Sequence, residues 1–243
     1  MTIENKESFH FRLIPYFSPS DQLDIKLAYT LAKFGHRAQL RKELTEGKPT
    51  RYFEHVRRVA LILMDEVQMM DRDMIIAALL HDSIEDTQDL TPELIEHCFG
   101  NNVVSMVKLL SKVPKEGYID RLNNCHNWKI LAIKACDRLD NLRSLMVPGT
   151  DEDFQKRQIK ETKEKYFPIF NSMVNLSYNE IGSQNVHIVE IKDEIKRLIE
   201  RYSTIIELRE QEKCPDCHGS GYGSWRSEED YTLCSRCKGN GKR

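Results

Sequence analysis

Two groups of residues in this 243-residue chain have the types and spacing to do chemistry. In the body, His81-Asp82 closes the most apolar helical pattern of the chain, Met74 to Leu80, and Glu85 and Asp86 follow within a turn in HDSIED. An imidazole beside a carboxylate can ligate a cation, or the two can simply satisfy each other, and the pair alone does not decide. Elsewhere, His55 in RYFEHVRRVA and Asp137 in KACDRLDNLRSL each add a further ligand type on a separate helical stretch. In the tail, CPDCHGSG (214–221) and CSRCKGNG (234–241) repeat the pattern Cys-x-x-Cys-x-Gly-x-Gly. The thiolates of Cys214, Cys217, Cys234 and Cys237 can close a tetrahedral four-cysteine zinc site, with the glycines supplying the positive-φ turns around the metal. A redox role for the Cys-x-x-Cys pairs is the alternative, although a closed four-thiolate site leaves no coordination position open for chemistry.

The elements that must position these residues read as helices. Leu23, Leu27, Ala28, Leu31, Ala32 and Phe34 recur at helical spacing after Ser20-Asp21, a pair suited to an N-cap. Val56, Val59, Ala60, Ile62 and Leu63 form a second amphipathic stretch. Met74 to Leu80 is apolar on all sides, the pattern of a buried central helix. Thr91-Pro92-Glu93 starts a short helix that ends at Phe99-Gly100, and Trp128 to Leu145 carries another, ended by Pro148-Gly149. No alternating run in the body demands a strand, so the expected fold is all-α. Beyond about residue 180, Ile188, Ile191, Ile195, Leu198, Tyr202 and Ile205 make a narrow apolar seam, suited equally to an intrachain partner helix or a dimer mate. The expected organisation is a metal-dependent domain over 1–178, an amphipathic and potentially coiled-coil helix over 179–212, and a zinc module over 213–243.

AALLHDSIEDT, with His55 upstream and KACDRLDNLRSL downstream, resembles the HD-type hydrolase domain of the RelA/SpoT enzymes and their small stand-alone relatives. The resemblance runs from about Ala28 to Pro168 and includes GHRAQLRK (35–42), the FGNNV turn (99–103) and ETKEKYFP (161–168). It implies a helical bundle that removes the 3′-pyrophosphate from guanosine tetra- and pentaphosphate, with His55, His81, Asp82 and Asp137 holding one divalent ion. Two imidazoles and two carboxylates suit Mn²⁺, Fe²⁺ or Zn²⁺ better than Mg²⁺ or Ca²⁺, and the family favours manganese. Glu85 and Asp86 would then manage protons or orient water; capping the next helix is their plainer role. Asn141, four residues after Asp137, shares its helix face, and Ser144 matches a hydroxyl that touches substrate. Arg41 and Lys42 match a phosphate-binding pair and Lys112 a lysine of the relatives, although Lys and Arg are ordinarily solvated surface residues.

Two departures stand out: ELTEGKPTRYFE lengthens the tract between Arg41-Lys42 and His55, and Val56 replaces a proline that commonly follows the histidine. With no room for a synthetase region, the resemblance implies a hydrolase alone. The tail resembles the cysteine-rich zinc modules of DnaJ-type chaperones. Trp225, Tyr222 and Tyr231 with Arg226 and Arg236 suit a nucleic-acid or a protein contact.

Composition bounds the rest. With 40% apolar and 30% charged residues the chain can build a core, and its net charge of −2 argues for no general attraction to nucleic acid or anionic membrane. The apolar run at 74–80 is far short of the roughly 20 residues of a membrane span, and the start has no secretory pattern. Seven cysteines without such a pattern argue against a disulfide framework and for a soluble, cytoplasmic protein. Two other readings stay open: the same site acting on another nucleotide or NADPH, and a non-catalytic adaptor with a zinc module.

Overall fold

The computed structural model of the chain describes residues 5–45, 48–147 and 150–213, together with Cys217, Ser220, Cys234, Arg236, Cys237 and Gly239. Residues divide into two compact units, 1–198 and 199–243. Among the described residues no helix is long and apolar enough to cross a membrane.

The first unit is built of helices around one all-apolar segment. After α1 (Lys6–Phe11), α2 (Pro19–Gly35) is capped by Ser18, whose hydroxyl accepts from the Asp21 amide at 3.2 Å. The cap therefore lies two residues before the expected Ser20-Asp21, because Pro19 fits the first helical position and has no amide to satisfy. The lengthened tract that follows is not a loop but an antiparallel hairpin, β1 (Leu40–Thr45) and β2 (Lys48–Arg51), with an irregular register between Leu40 and Leu44. It is the one strand pairing among the described residues of this unit. From it the chain passes into α3 (Tyr52–Leu61), prolonged by a wide π turn at Ile62–Glu66.

Next comes α4 (Arg72–Leu80), the expected central helix, whose Met74 to Leu80 are fully buried. Asp71 starts it by accepting from the Met74 amide and is itself held by the Lys129 ammonium at 2.7 Å. Short helices α5 (Ser83–Asp86), α6 (Pro92–Phe99), α7 (Asn101–Leu110) and α8 (Tyr118–Asn123) follow. Thr91 caps α6 as its position suggests, and Gly100 turns between α6 and α7 at φ 91°, a backbone region that only glycine occupies without strain.

The 16-residue α9 (Trp128–Arg143) packs on α3, α4, α7 and α11. It is buried even at Lys134, Asp137, Arg138 and Asp140. Four charges inside a core must be paired, and that is where the chemistry lies. Then α10 (Glu152–Glu161) and its π turn at Thr162–Tyr166 swing Tyr166 inward, with its ring 4.0 Å from the Arg138 guanidinium, before α11 (Phe167–Ile181).

The last helix, α12 (Val186–Glu212), buries Ile188, Ile191, Ile195, Ile199, Tyr202 and Ile206 within the single chain. Those six advance 18 residues in five steps, a mean of 3.6, the period of a straight helix rather than the 3.5 of a supercoiled seam. Leu198 and Ile205 consequently flank the stripe, half-buried.

Candidate metal centre and adjoining cleft

Three separate helices deliver the donors. His55 sits one turn into α3, His81 and Asp82 end α4 and begin α5, and Asp137 projects from the middle of α9. All four are buried. His81 Nε2 lies 3.1 Å from Asp82 Oδ2 and 3.7 Å from Asp137 Oδ1, and His55 Nε2 lies 3.2 Å from Asp137 Oδ1 and 3.6 Å from Asp82 Oδ2. Metal–donor bonds of about 2.1 Å set neighbouring donors about 3.0–3.5 Å apart. His55, His81 and Asp82 each offer a donor within 4.8 Å of the other two, so these three suit one cation, with Asp137 Oδ1 alongside near both imidazoles.

The histidine tautomers point the same way. His55 Nδ1–H donates to Asp140 Oδ2 at 2.7 Å, and His81 Nδ1–H donates to the Ala78 carbonyl at 2.8 Å. Each ring thereby presents its Nε2 lone pair to the centre, and His81 Nε2 is buried with no hydrogen-bond partner of its own.

The electrostatics favour positive charge. Burial alone would lower the pKa of both imidazoles, yet the carboxylates of Asp137, Asp140 and Asp82 raise His55 to about 9. Those of Asp82 and Asp137 likewise raise His81 to about 10. Asp82 and Asp137 are held well below the usual carboxylate range despite their burial, Asp82 by His81 and His55, Asp137 by Lys134 and the same two histidines. A pocket that holds protons this firmly is equally a pocket that a divalent cation can neutralise, and the donors fit one.

Around the donors lies a second set of contacts that sequence reasoning missed. Asp140 accepts from His55 and also from Arg58 Nε at 2.7 Å, and together the two lower its pKa to about 2 against the effect of burial. The buried Lys134 ammonium donates to Asp137 Oδ2 at 2.7 Å and lies between the Tyr118 and Tyr166 rings, 5.5 Å from each. Tyr52 donates its hydroxyl to Asp82 Oδ2 at 2.7 Å, and its ring stacks on the buried His36. Lys134 and Asp140 stand three residues either side of Asp137, a helical spacing of charges that marks them on inspection. Tyr52, at the end of a hairpin, carries no such mark.

The expected binding residues fall into two places. Asn141 donates to Asp137 Oδ1 at 2.7 Å and accepts from Arg41 Nη2 at 2.8 Å; Arg41 also reaches Ser144 Oγ at 3.4 Å. Arg41, Asn141 and Ser144 line a 310 Å³ cleft with Tyr52, Phe154 and Gln158, so the cleft opens beside the donors. Glu85 and Lys112 instead face each other, through the Lys112 amide at 3.1 Å and its ammonium at 3.7 Å. Asp86 lies near Tyr52 and Asp82; partial desolvation, then the charges of Asp82 and Glu85, raise its pKa. The side chain of Lys42 lies outside the described residues.

In the tail, Cys217, Cys234 and Cys237 are buried with their sulfurs within 4.8 Å of one another, and Cys217 Sγ and Cys237 Sγ are 3.6 Å apart. Thiolates on one tetrahedral zinc lie about 3.8 Å apart, whereas a disulfide needs about 2.05 Å. Cys214 lies outside the described residues.

A helical domain that gathers His55, His81-Asp82 and Asp137 from three helices defines a class, and the HD domain model matches residues 28–175. The chain belongs to the HD domain family. It is similar to the guanosine-3′,5′-bis(diphosphate) 3′-pyrophosphohydrolase of Aquifex aeolicus, 37% identical over 160 residues, covering 62% of this chain and 22% of that protein. It is also similar to the bifunctional (p)ppGpp synthase/hydrolase SpoT of Escherichia coli, 29% identical over 237 residues, covering 86% of this chain and 32% of that protein. A solved structure described as a metazoan ortholog of SpoT that hydrolyzes ppGpp matches with a TM-score of 0.58 and 25% identity, over 76% of this chain and 97% of that one. Within the family the domain is therefore of RelA/SpoT type. The chain spans about a fifth to a third of the length of these two curated relatives.

Proposed function

We propose that this chain is a metal-dependent phosphohydrolase that removes the 3′-pyrophosphate from guanosine tetraphosphate and pentaphosphate. The observation that carries the reading is the four-donor cluster of His55, His81, Asp82 and Asp137 opening onto a cleft lined by Arg41, Asn141 and Ser144. The relatives named for this reaction and the solved metazoan protein support it. In our reading 1–178 is the hydrolase domain, 179–212 a helical connection and 213–243 a zinc module, in a cytoplasmic protein.

His55, His81, Asp82 and Asp137 would hold the ion, and two nitrogen and two oxygen donors favour Mn²⁺ among the divalent candidates. Such an ion polarises the phosphoryl group and makes water acidic enough to attack near neutral pH. The chain's own groups do the rest. Arg41 grips the substrate's phosphate or stacks against its base, tied to the site by Asn141 and Ser144. Glu85 and Asp86 take up the proton of the attacking water, and the raised pKa of Asp86 suits a base that must also release a proton. The water oxygen forms its bond to phosphorus as the bond to the ribose 3′ oxygen breaks, and that oxygen leaves carrying a proton. Cys217, Cys234 and Cys237, with Cys214 as the fourth thiolate, would close a structural Zn²⁺ site that supplies much of the tail's folding free energy.

The test is pyrophosphate release from guanosine tetraphosphate with Mn²⁺, run beside NADPH and GTP. We expect release from the first substrate, and none from Asp82→Ala despite unchanged helical circular dichroism. Full activity in Asp82→Ala, or no pyrophosphate from the wild-type chain, would overturn the proposal.

A further inference from the structure

A second cavity, of 520 Å³, lies between the C-terminal end of α2, the start of α3 and α1, and shares no lining residue with the cleft beside the donors. Five cationic side chains line it, Lys6, Lys33, Arg37, Arg51 and Arg57, against one carboxylate, Glu54. In a chain of net charge −2 this concentration does not follow from composition. Glu54 is engaged by Arg57, and Arg37 is paired with Asp89 at 2.9 Å. Among the residues whose side chains are described, which leaves out 42–48, no carboxylate lies within ion-pair distance of Lys6, Lys33 or Arg51.

Part of this charge has a plainer use. Lys33 and Arg37 stand at the C-terminal end of α2, where cations complement the helix dipole. With Arg57 already engaged by Glu54, that leaves Lys6 and Arg51, which serve no such end. Arg51 immediately precedes α3 and Arg57 lies midway along it, and the N-terminus of that ten-residue helix has no side-chain cap. An uncapped helix start adds amide donors and a positive dipole end to the same wall. One donor of the lining residues, Arg57 Nε, is buried without a hydrogen-bond partner, whereas His36, whose Nδ1–H donates to Gln39 Oε1, offers only an acceptor at Nε2. The rings of Tyr29 and Phe53, edge to face at 4.8 Å, supply apolar lining.

We propose that this cavity is a second binding site, separate from the metal centre, that takes a small polyphosphate anion of nucleotide size. The volume lies within the roughly 300–1,000 Å³ of small-ligand pockets. Converging guanidinium and ammonium groups suit several phosphates at once, and aromatic lining suits a base. Filling the site relieves mutual repulsion among cations that the fold otherwise leaves facing one another.

The experiment is calorimetric binding of inorganic tripolyphosphate, and separately of ATP, to the full chain in EDTA at low salt. Chelation keeps any metal-dependent binding out of the signal, and no turnover is needed, so the result is independent of the proposed activity. We expect one anion per chain, an affinity at least tenfold weaker in the Lys33→Gln/Arg51→Gln double variant, and less than a twofold change in Arg41→Gln, which alters the other cleft. Both altered residues of the double variant are exposed, so its fold should survive, and circular dichroism checks this. ATP binding more tightly than tripolyphosphate identifies the ligand as a nucleotide, and the reverse identifies it as an inorganic polyphosphate. Absence of binding at millimolar anion, an unaffected double variant, or a loss in Arg41→Gln as large as in the double variant overturns the proposal.

Discussion

Replacing Asp140 by asparagine tests how the metal centre is held together. The Asp140 carboxylate accepts from the buried His55 Nδ1 at 2.7 Å and from the half-buried Arg58 at 2.7 and 3.1 Å. An asparagine of the same shape has one acceptor oxygen. If that oxygen meets Arg58, the amide nitrogen faces the His55 Nδ1–H, donor against donor, and the ring loses the bond that directs its Nε2 to the centre. A hydrogen bond to a charged group contributes about 1.5–3 kcal/mol, which is about 10- to 150-fold in an equilibrium constant. Groups that orient a metal ligand typically affect affinity by about 10–100-fold. We therefore expect Asp140→Asn to raise the Mn²⁺ concentration for half-maximal binding about 10–100-fold, read directly by electron paramagnetic resonance of free Mn²⁺. At saturating metal, kcat and the KM for nucleotide should return close to wild type, because Asp140 touches neither substrate nor ion. An unchanged Mn²⁺ affinity beside a lowered unfolding midpoint would show that Asp140 merely stabilises α3 against α9, and the reasoning would fail.

Lys134→Met removes the cation that donates to Asp137 Oδ2 in the core; with His55 and Asn141 still on the other oxygen, the loss should fall below the about 3–5 kcal/mol of a fully stranded buried charge. Urea unfolding should show this loss in the metal-free protein and a smaller one with Mn²⁺, whose charge substitutes in part; equal losses would argue against a metal at Asp137. Arg41→Lys keeps the charge but loses the planar guanidinium whose Nη2 meets Asn141 and Ser144, so KM should rise about tenfold or more with a smaller change in kcat, measured by steady-state kinetics. Gly100→Ala forces a side chain onto a backbone at φ 91° and should cost about 1–3 kcal/mol of stability by chemical denaturation, without altering metal binding. Cys217→Ser with Cys237→Ser should lower the zinc content of the purified protein by one ion per chain, measured by mass spectrometry, while turnover is largely retained.

Local pattern was enough for the main helices. The apolar run at 74–80, the Thr91-Pro92 start and the three- and four-residue spacing near the end of the chain each reappear as a helix, because helix formation and capping depend on neighbours within a turn. Local pattern was less reliable for exact positions. The cap of α2 moved to Ser18, and the buried stripe of α12 runs through Ile199 and Ile206 rather than Leu198 and Ile205. Such choices turn on what the helix packs against. The hairpin at 40–51 escaped notice because its residues do not alternate polar with apolar, and its pairing is between two short strands with little apolar surface to declare them.

For the site, residue types and motif spacing singled out His55, His81, Asp82 and Asp137, but nothing local to any of them brings nitrogen and oxygen atoms from α3, α4–α5 and α9 within 3.7 Å. Packing of α9 across α3 and α4 does that, since its buried face must meet theirs and its charges must then find partners. The same packing makes Asp140 the acceptor for His55 and Lys134 the counter-ion of Asp137, while α5 against α7 brings Glu85 to Lys112. Contacts between segments dozens of residues apart depend on the shape of the whole core, which no window of sequence contains.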